Sequence, residues 1–270
     1  GVGPGDLSLV ECHDASAPAP AAWLVAHGYG HVIFGLTAAF GTTALLACLA
    51  LPHDATPTTK APPMLAAIRD GARFVIHHPA LRAIALCAIC WNMAFFALTA
   101  LFVPYATTRL GFDVPAIGRS WSAYGAGLVA SAWFAPAITK RSSLSSLLMF
   151  GPLVSAIAIV LIVAAAPSMG EPALWIAFFL IGFGPMLWAV TQTSLRQQIT
   201  PADIMGRVGA TMQAANYGAR PIGALIAGWL GAQIGVTNAM ILPAILFVAS
   251  LASMAWMLRS ALAATAPAQA

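Results

Sequence analysis

The sequence predicts an all-α membrane protein, a polytopic helical bundle. Its 270 residues are 60% hydrophobic and only 7% charged, whereas about 25% of the residues in a soluble domain are charged. Its apolar residues also fall into long runs, and roughly 20 helical residues cross a bilayer. Because backbone amides in lipid need internal partners, and because the alternating pattern of barrel strands is missing, we expect helices.

Seven apolar runs are long enough to span a membrane, and segments rich in proline, glycine or charge separate them. Their predicted bounds are 31–51, 81–104, 117–138, 144–166, 173–195, 208–231 and 236–258. The other segments are predicted as an irregular tail (1–30), a central loop (52–80) and a C-terminal tail (259–270). The first residues have no basic region before an apolar one, so they are not expected to be a secretory signal peptide.

The positions of the lysines and arginines predict how these spans are oriented across the membrane. If the spans alternate in direction, nine lysines and arginines fall on one side and two on the other, with Arg220 left inside a span. The positive-inside rule places the nine-cation side in the cytoplasm. Those nine are Lys60, Arg69, Arg73, Arg82, Lys140, Arg141, Arg196, Arg207 and Arg259, and the outer two are Arg109 and Arg119.

The central loop contains an amphipathic stretch, "MLAAIRDGARFVIHH" (64–78). It predicts an interfacial helix on the inner leaflet, with apolar residues separated from charged ones. His77 and His78 are adjacent, so on a helix they point about 100° apart and are poorly placed to chelate a metal. Cys87 and Cys90 form a C-x-x-C within an apolar run, without the βα setting of a redox motif, and are expected to be inert. We expect neither a metal nor another cofactor.

Polar and aromatic residues inside the spans are candidates for a substrate site. Pro185 lies within the span 173–195 and is expected to bend it, either for packing alone or at the edge of a substrate cavity. Trp188 and Gln192 follow on one helical face. Asn92 and Phe95 share a face of the span 81–104, and Tyr124 in the next span completes a predicted aromatic and polar lining.

The stretch "ITPADIMGRV" predicts the start of a helix. Thr200 suits the N-cap, Pro201 the first helical position and Asp203 the first turn, where the helix dipole favours an anion. Asp203 and Arg207 are four residues apart and are expected to pair. Two interpretations stay open: a well-formed helix start, or a cytoplasmic latch whose charge pair breaks during transport.

Arg220 lies near the middle of the span 208–231, too deep to reach the membrane surface easily. An arginine at this depth costs at least about 2.5–3.5 kcal/mol, so it must face a cavity or a partner. Gln213 and Asn216 are expected on the same face. Arg220 either pairs with a carboxylate or carbonyl of a preceding half of the protein, or attracts an anionic or electron-rich substrate.

Three stretches indicate a family. "AAIRDGARFVIHHPALRAIAL", "SLRQQITPADIMGRVGATMQ" and "GARPIGALIAGWLG" resemble segments of the enterobactin-exporter-like efflux branch of the major facilitator superfamily. The resemblance covers about residues 30–260. It implies that the seven spans are helices six to twelve of a full-length permease: 31–51 the sixth, 52–80 the central cytoplasmic loop, and 81–258 the C-terminal half. We expect the first five helices, as a missing N-terminal half, to be a partner of this segment.

This resemblance implies secondary-active efflux of a siderophore or drug-like molecule by alternating access, in a bacterial inner membrane. No carboxylate falls inside any predicted span, which favours acidic or neutral cargo. We expect proton coupling, with the carrier in the missing half or at His31. The alternative is an inactive half-transporter or a non-transporting membrane scaffold. Motifs of membrane enzymes and channel filters are missing, and nucleic acid is not an expected partner.

Overall fold

The computed structural model describes residues 64–265, together with residues 31, 32, 35, 38, 39, 41–43 and 46. The chain divides into two compact units, residues 1–63 and 64–270. In the first unit the described positions are helical, and the Thr42 and Thr43 hydroxyls each donate to the carbonyl four residues earlier. The predicted tail (1–30) and much of the predicted loop before residue 64 lie outside the described residues.

The second unit is helical throughout its regular structure from residue 64 to residue 265. The helix Leu144–Val160 continues through a π-helical turn (Leu161–Ala165) into the helix Ala166–Met169, so the three form one continuous rod. Short connections join the successive long helices, which therefore run antiparallel. The helices are α1 (Met64–His77), α2 (Pro79–Thr108), α3 (Val114–Arg141), α4 (Leu144–Val160), α5 (Ala166–Met169), α6 (Glu171–Ile199), α7 (Met205–Ile234), α8 (Val236–Ala239) and α9 (Ile241–Thr265).

Four of these rods are long and apolar enough to cross a membrane. They are Pro79–Thr108, Leu144–Met169, Glu171–Ile199 and Val236–Arg259. Helices α3 and α7 have 28 and 30 residues, about 42 and 45 Å at roughly 1.5 Å per residue. They are long enough to span but contain more polar residues, including Arg119 in α3 and Arg220 in α7. That these two also span stays a prediction.

The long helices pack in a definite order: α7 lies against α2, α2 against α9, α9 against α4, α4 against α6, and α6 against α3. Aromatic rings close the centre between α2, α3 and α6. Phe102 and Phe178 are fully buried there, with their ring centroids 4.5 Å apart, and Trp121 packs edge-on against both. These rings fill the space between the three helices. In the packing order given above, α7 and α3 are the first and last helices.

Glycines bring α3 and α6 into backbone contact. A Cβ at Gly182 would collide with the Tyr124 carbonyl oxygen, and one at Gly127 would collide with the Phe179 carbonyl oxygen. Small residues that permit such approach are the usual means of packing helices in membranes, where no hydrophobic force drives helices together. Helix α6 also runs without interruption through Pro185, so the predicted bend there is still only a prediction.

The predicted interfacial helix is α1, and it docks on the first turns of α7. A Cβ at Gly71 would lie 2.7 Å from both the Arg207 carbonyl oxygen and the Thr211 hydroxyl oxygen. Val75 is buried beside it, in an apolar cluster that includes Val208 and Met212 of α7. Ile68, one of the apolar residues of this helix, is exposed.

The predicted start of the next helix is wrong in three details. Thr200 is the C-cap of α6, and its hydroxyl donates to the Arg196 carbonyl at 2.6 Å. Helix α7 begins at Met205 with Ile204 as its N-cap, so Asp203 lies in the preceding turn. Arg207 pairs with Asp70 of α1, with 3.6 Å between Nη1 and Oδ2, and not with Asp203. Thr200 caps α6 and not α7 because α6 extends to Ile199.

A second ion pair lies where α3 and α6 both begin. Arg119 donates from Nε and Nη2 to the two carboxylate oxygens of Glu171, at 2.9 and 2.7 Å. This two-pronged geometry fixes the guanidinium plane. The Arg119–Glu171 and Asp70–Arg207 pairs belong to opposite ends of the antiparallel bundle.

Candidate substrate site

Helices α2 and α7 approach closely enough for residues at their middles to touch. A Cβ at Gly223 would collide with the Met93 carbonyl oxygen, so glycine is needed here for the backbones to meet. Arg220 lies one turn before Gly223, and Asn92 immediately precedes Met93. Both are near the centres of 30-residue helices.

Arg220 donates from Nε to Asn92 Oδ1 at 3.0 Å. Asn92 is only 8% exposed, and its Nδ2 donates to the Ala88 carbonyl at 2.9 Å. The second hydrogen bond holds the amide with its oxygen toward the arginine. Asparagine is neutral, so this contact orients the guanidinium without cancelling its charge. Among the residues from 64 to 265, no carboxylate forms an ion pair with Arg220.

Two aromatic rings lie against the same guanidinium. Its Cζ is 4.4 Å from the ring centroid of Tyr217 and 5.2 Å from that of Phe96. Both distances are within the range of cation–π attraction, worth about 0.5–2 kcal/mol per contact. The rings replace part of the hydration that a half-buried arginine loses, and they keep it in place without neutralising it.

The other two members of the predicted polar stripe on α7 differ in their surroundings. Asn216 is half-buried, and its Oδ1 is buried without a hydrogen-bond donor in the part of the chain described. Gln213 is exposed. Asn216 lies one turn before Arg220, so the site holds a positive charge and, beside it, an unsatisfied acceptor.

Two of the predicted aromatic residues, Phe95 of α2 and Tyr124 of α3, pack together inside the bundle. Phe95 and Tyr124 are buried and stacked, with centroids 5.5 Å apart, and Phe95 also packs edge-on against Phe96. Phe96 in turn contacts Arg220. Phe95 and Tyr124 therefore pack behind Phe96, the ring that contacts Arg220.

Trp188 and Gln192 lie apart from that cluster. Trp188 lines a small apolar recess together with Cys87, Trp91, Gly151, Pro152 and Pro185. Its Nε1 is buried and has no acceptor among the described residues. Gln192 donates to Ala189 and Thr193 of its own helix. Trp91 joins the two regions, because it lines the recess and stacks on Phe95 at 5.2 Å.

Comparison with known proteins agrees with this arrangement of apolar helices. The family model described as Major Facilitator Superfamily matches residues 15–223. The chain belongs to the major facilitator superfamily. A search of curated proteins gave no match. The family match and the apolar helices make the chain a multi-pass membrane protein of a transporter family, in contact with the lipid bilayer and acting on a small-molecule substrate.

The sequence did not predict several contacts of this superfamily member. Tyr217 lies three residues before Arg220, and Phe96 lies four after Asn92, so helical spacing alone could have suggested both. Trp91 donates from Nε1 to the Ser155 hydroxyl at 3.0 Å inside the bundle. Nothing in the sequence linked Ser155 to it.

Proposed function

We propose that this chain works in secondary-active efflux of a small acidic or neutral molecule by alternating access, and that Arg220 contacts the cargo. The observation that carries the proposal is the charge balance of the Arg220 cluster. A guanidinium lies halfway along two packed 30-residue helices, and its polar partner in the cluster is a neutral amide. A charge kept there without a counter-ion among the described residues favours an anionic ligand.

The position of the cluster supports a transport path beside α7. Helix α7 ends the row of packed helices, and Tyr217 is 55% exposed next to Arg220. We propose that a further helical half of the permease covers this face and completes the path. We also propose that Asn216, Gln213, Asn92, Phe95 and Tyr124 belong to the cargo site, with Trp188 and Gln192 nearer its inner end and Pro185, Asp203 and Arg207 in conformational roles.

Proton coupling and an inner-membrane location complete the proposal. No carboxylate lies in the middle of any of the long helices between residues 79 and 265, so we assign the coupling group to a part of the protein outside this range. The charge distribution supports an orientation with the nine-cation side in the cytoplasm, and we propose that the membrane is a bacterial inner membrane. Collapse of the proton gradient by a protonophore should then stop efflux.

The test is efflux by the full-length protein with Arg220→Ala and Arg220→Lys, using acidic, neutral and cationic compounds. We expect Arg220→Ala to lower efflux of the acidic cargo about tenfold or more, the effect of roughly 1.4 kcal/mol. Arg220→Lys should retain part of it, because the charge stays while the planar fork is lost. Arg109→Ala, an exposed arginine at the end of α2, is the matched control. Unchanged efflux of every compound, with normal membrane insertion, contradicts the proposal.

A further inference from the structure

We infer that the start of α2 and the end of α9 carry a binding site for an anionic phospholipid, whose headgroup is held by Arg82, Trp256 and Arg259. The inference goes beyond the proposed function and does not depend on it, because it needs no contact between Arg220 and cargo. It rests on an arginine stacked over an indole ring at the end of two membrane-crossing rods, next to an exposed apolar stripe.

Helices α2 and α9 form the site where they pack together at one end of the bundle. Leu81 of α2 and Met257 of α9 are buried there in one apolar cluster. Arg82 follows Leu81 in the chain, Trp256 precedes Met257, and both Arg82 and Trp256 are exposed. The arginine and the indole therefore lie on the outer side of this contact, where a lipid can reach them.

The guanidinium of Arg82 lies over the ring of Trp256, with 5.0 Å between Cζ and the ring centroid. This distance is within the range of about 6 Å for cation–π attraction. Stacking uses a face of the guanidinium, whereas the N–H donors lie in its plane and match the oxygens of a phosphate. Arg259 is also exposed, and its place three residues after Trp256 puts it on the same face of α9.

The same face of α9 is apolar from the middle of the helix to the indole. Its exposed side chains recur every three or four residues, the spacing of one helical face. They are Ile245, Val248, Ala252 and Trp256. Only 28% of the apolar stretch in the rod that contains α9 is buried inside the bundle, against 50% for each of the other three rods. The stripe is therefore suited to contact with acyl chains.

The order of these groups along α9 matches the order of groups in a phospholipid. Apolar side chains come first, then Trp256, and then Arg259, as acyl chains give way to the headgroup. Tryptophan concentrates at the membrane–water interface, and basic pockets between membrane helices bind anionic headgroups. A free phosphate would gain nothing from the apolar stripe, and a zwitterionic lipid brings its own cation. We therefore assign the site to an anionic lipid.

Native mass spectrometry of the full-length protein tests the site by measuring the affinity for the first bound phosphatidylglycerol, with phosphatidylcholine as the neutral comparison. We expect Arg82→Ala to weaken phosphatidylglycerol binding about fivefold and to leave phosphatidylcholine binding unchanged. Arg82→Lys should retain part of the affinity, because the charge stays while the planar group is lost. Trp256→Ala should also weaken binding, because the ring that positions Arg82 is removed.

Arg141→Ala is the matched control. It removes another exposed arginine from the same end of the bundle, at the end of α3, and should leave the affinity for phosphatidylglycerol unchanged. The substituted side chains are exposed, so we expect the thermal unfolding midpoint of every variant in phosphatidylcholine nanodiscs to equal that of the parent protein.

Three results would overturn the inference. Full affinity of Arg82→Ala would show that this arginine does not hold the lipid. An equal loss in Arg82→Ala and Arg141→Ala would indicate a diffuse attraction to positive charge and no built site. Displacement of phosphatidylglycerol by inorganic phosphate would assign the site to a free anion. Arg220-dependent efflux of acidic cargo is unaffected by any of these results, so the proposed function is tested separately.

Discussion

Arg220 is stabilised by contacts that leave its charge available. Asn92 accepts from its Nε, and Tyr217 and Phe96 lie against the guanidinium. A carboxylate in place of Asn92 would stabilise the arginine more strongly but would cancel the charge in a region of low dielectric. We therefore propose that the neutral amide at Asn92 is what keeps Arg220 available to bind cargo.

Replacing this amide by an acid tests that distinction. We expect Asn92→Asp to form an ion pair with Arg220 and to lower efflux of acidic cargo about tenfold or more, without loss of folded protein. Asn92→Ala should have a smaller effect, because the charge persists and only its orientation is lost. Efflux assays on membranes with matched expression measure both, and full activity of Asn92→Asp would show that the charge of Arg220 is not used.

The sequence predicted the members of this cluster better than their contacts. Asn92, Asn216 and Arg220 were predicted as site residues because polar groups inside apolar spans need a partner. The Arg220–Asn92 bond could not be predicted, since it depends on Gly223 admitting the backbone of α2 beside Met93. A glycine in an apolar run indicates close approach without saying which helix approaches.

Helices α1, α3, α6 and α7 are positioned by glycines more than by charges. The Asp70–Arg207 pair is 3.6 Å long between side chains that are 47% and 31% exposed, and exposed pairs contribute about 0–1 kcal/mol. Gly182 and Gly71, in contrast, lie directly against the backbone of a neighbouring helix. The capping rules placed Thr200 and Asp203 at the start of α7, and this prediction was wrong. Thr200 bonds to Arg196 of α6, and Arg207 pairs with Asp70 of α1.

Two glycines on one helix pair form a matched comparison. Gly182→Ala should push α6 away from α3, since the added methyl meets the backbone of Tyr124, and should lower the midpoint of thermal unfolding by several degrees, as expected for about 1–3 kcal/mol of overpacking. Gly125→Ala in α3 has open space around its Cβ and should leave the midpoint unchanged or raise it. Equal midpoints for the two variants would argue against close α3–α6 packing.

The docking of α1 on α7 gives a second comparison. Gly71→Ala should lower the free energy of unfolding by about 1–3 kcal/mol, because its Cβ meets the Arg207 backbone. Asp70→Asn should change it by less than about 1 kcal/mol. Denaturant unfolding in detergent measures both, and a larger effect for Asp70→Asn would make the ion pair the main attachment of α1.

Across the whole bundle, the charge distribution predicts the orientation, and the more polar helix α7 carries the proposed cargo site. The four rods that meet the length and composition of a membrane span were all predicted from apolar runs. The fold class followed from composition and run length alone, because lipid leaves a buried backbone few alternatives. The order of packing did not, since it depends on which small residues face one another.

Orientation is tested by labelling single cysteines in a background in which the four native cysteines are replaced. We expect Ser142→Cys, between α3 and α4, to be protected from a membrane-impermeant maleimide in intact cells. Ser168→Cys, at the end of α5, should be labelled. The reverse pattern would contradict the assignment of the nine-cation side to the cytoplasm.

The most direct measurement is whether water reaches position 220. In the same cysteine-free background of the full-length protein, Arg220→Cys and Tyr217→Cys are treated with a water-soluble and a lipid-soluble thiol reagent. We expect the water-soluble reagent to label both positions, and cargo to slow its reaction at Tyr217→Cys, the variant that keeps Arg220. Labelling by the lipid-soluble reagent alone, with and without cargo and with or without a proton gradient, would contradict the claim that Arg220 faces a transport path.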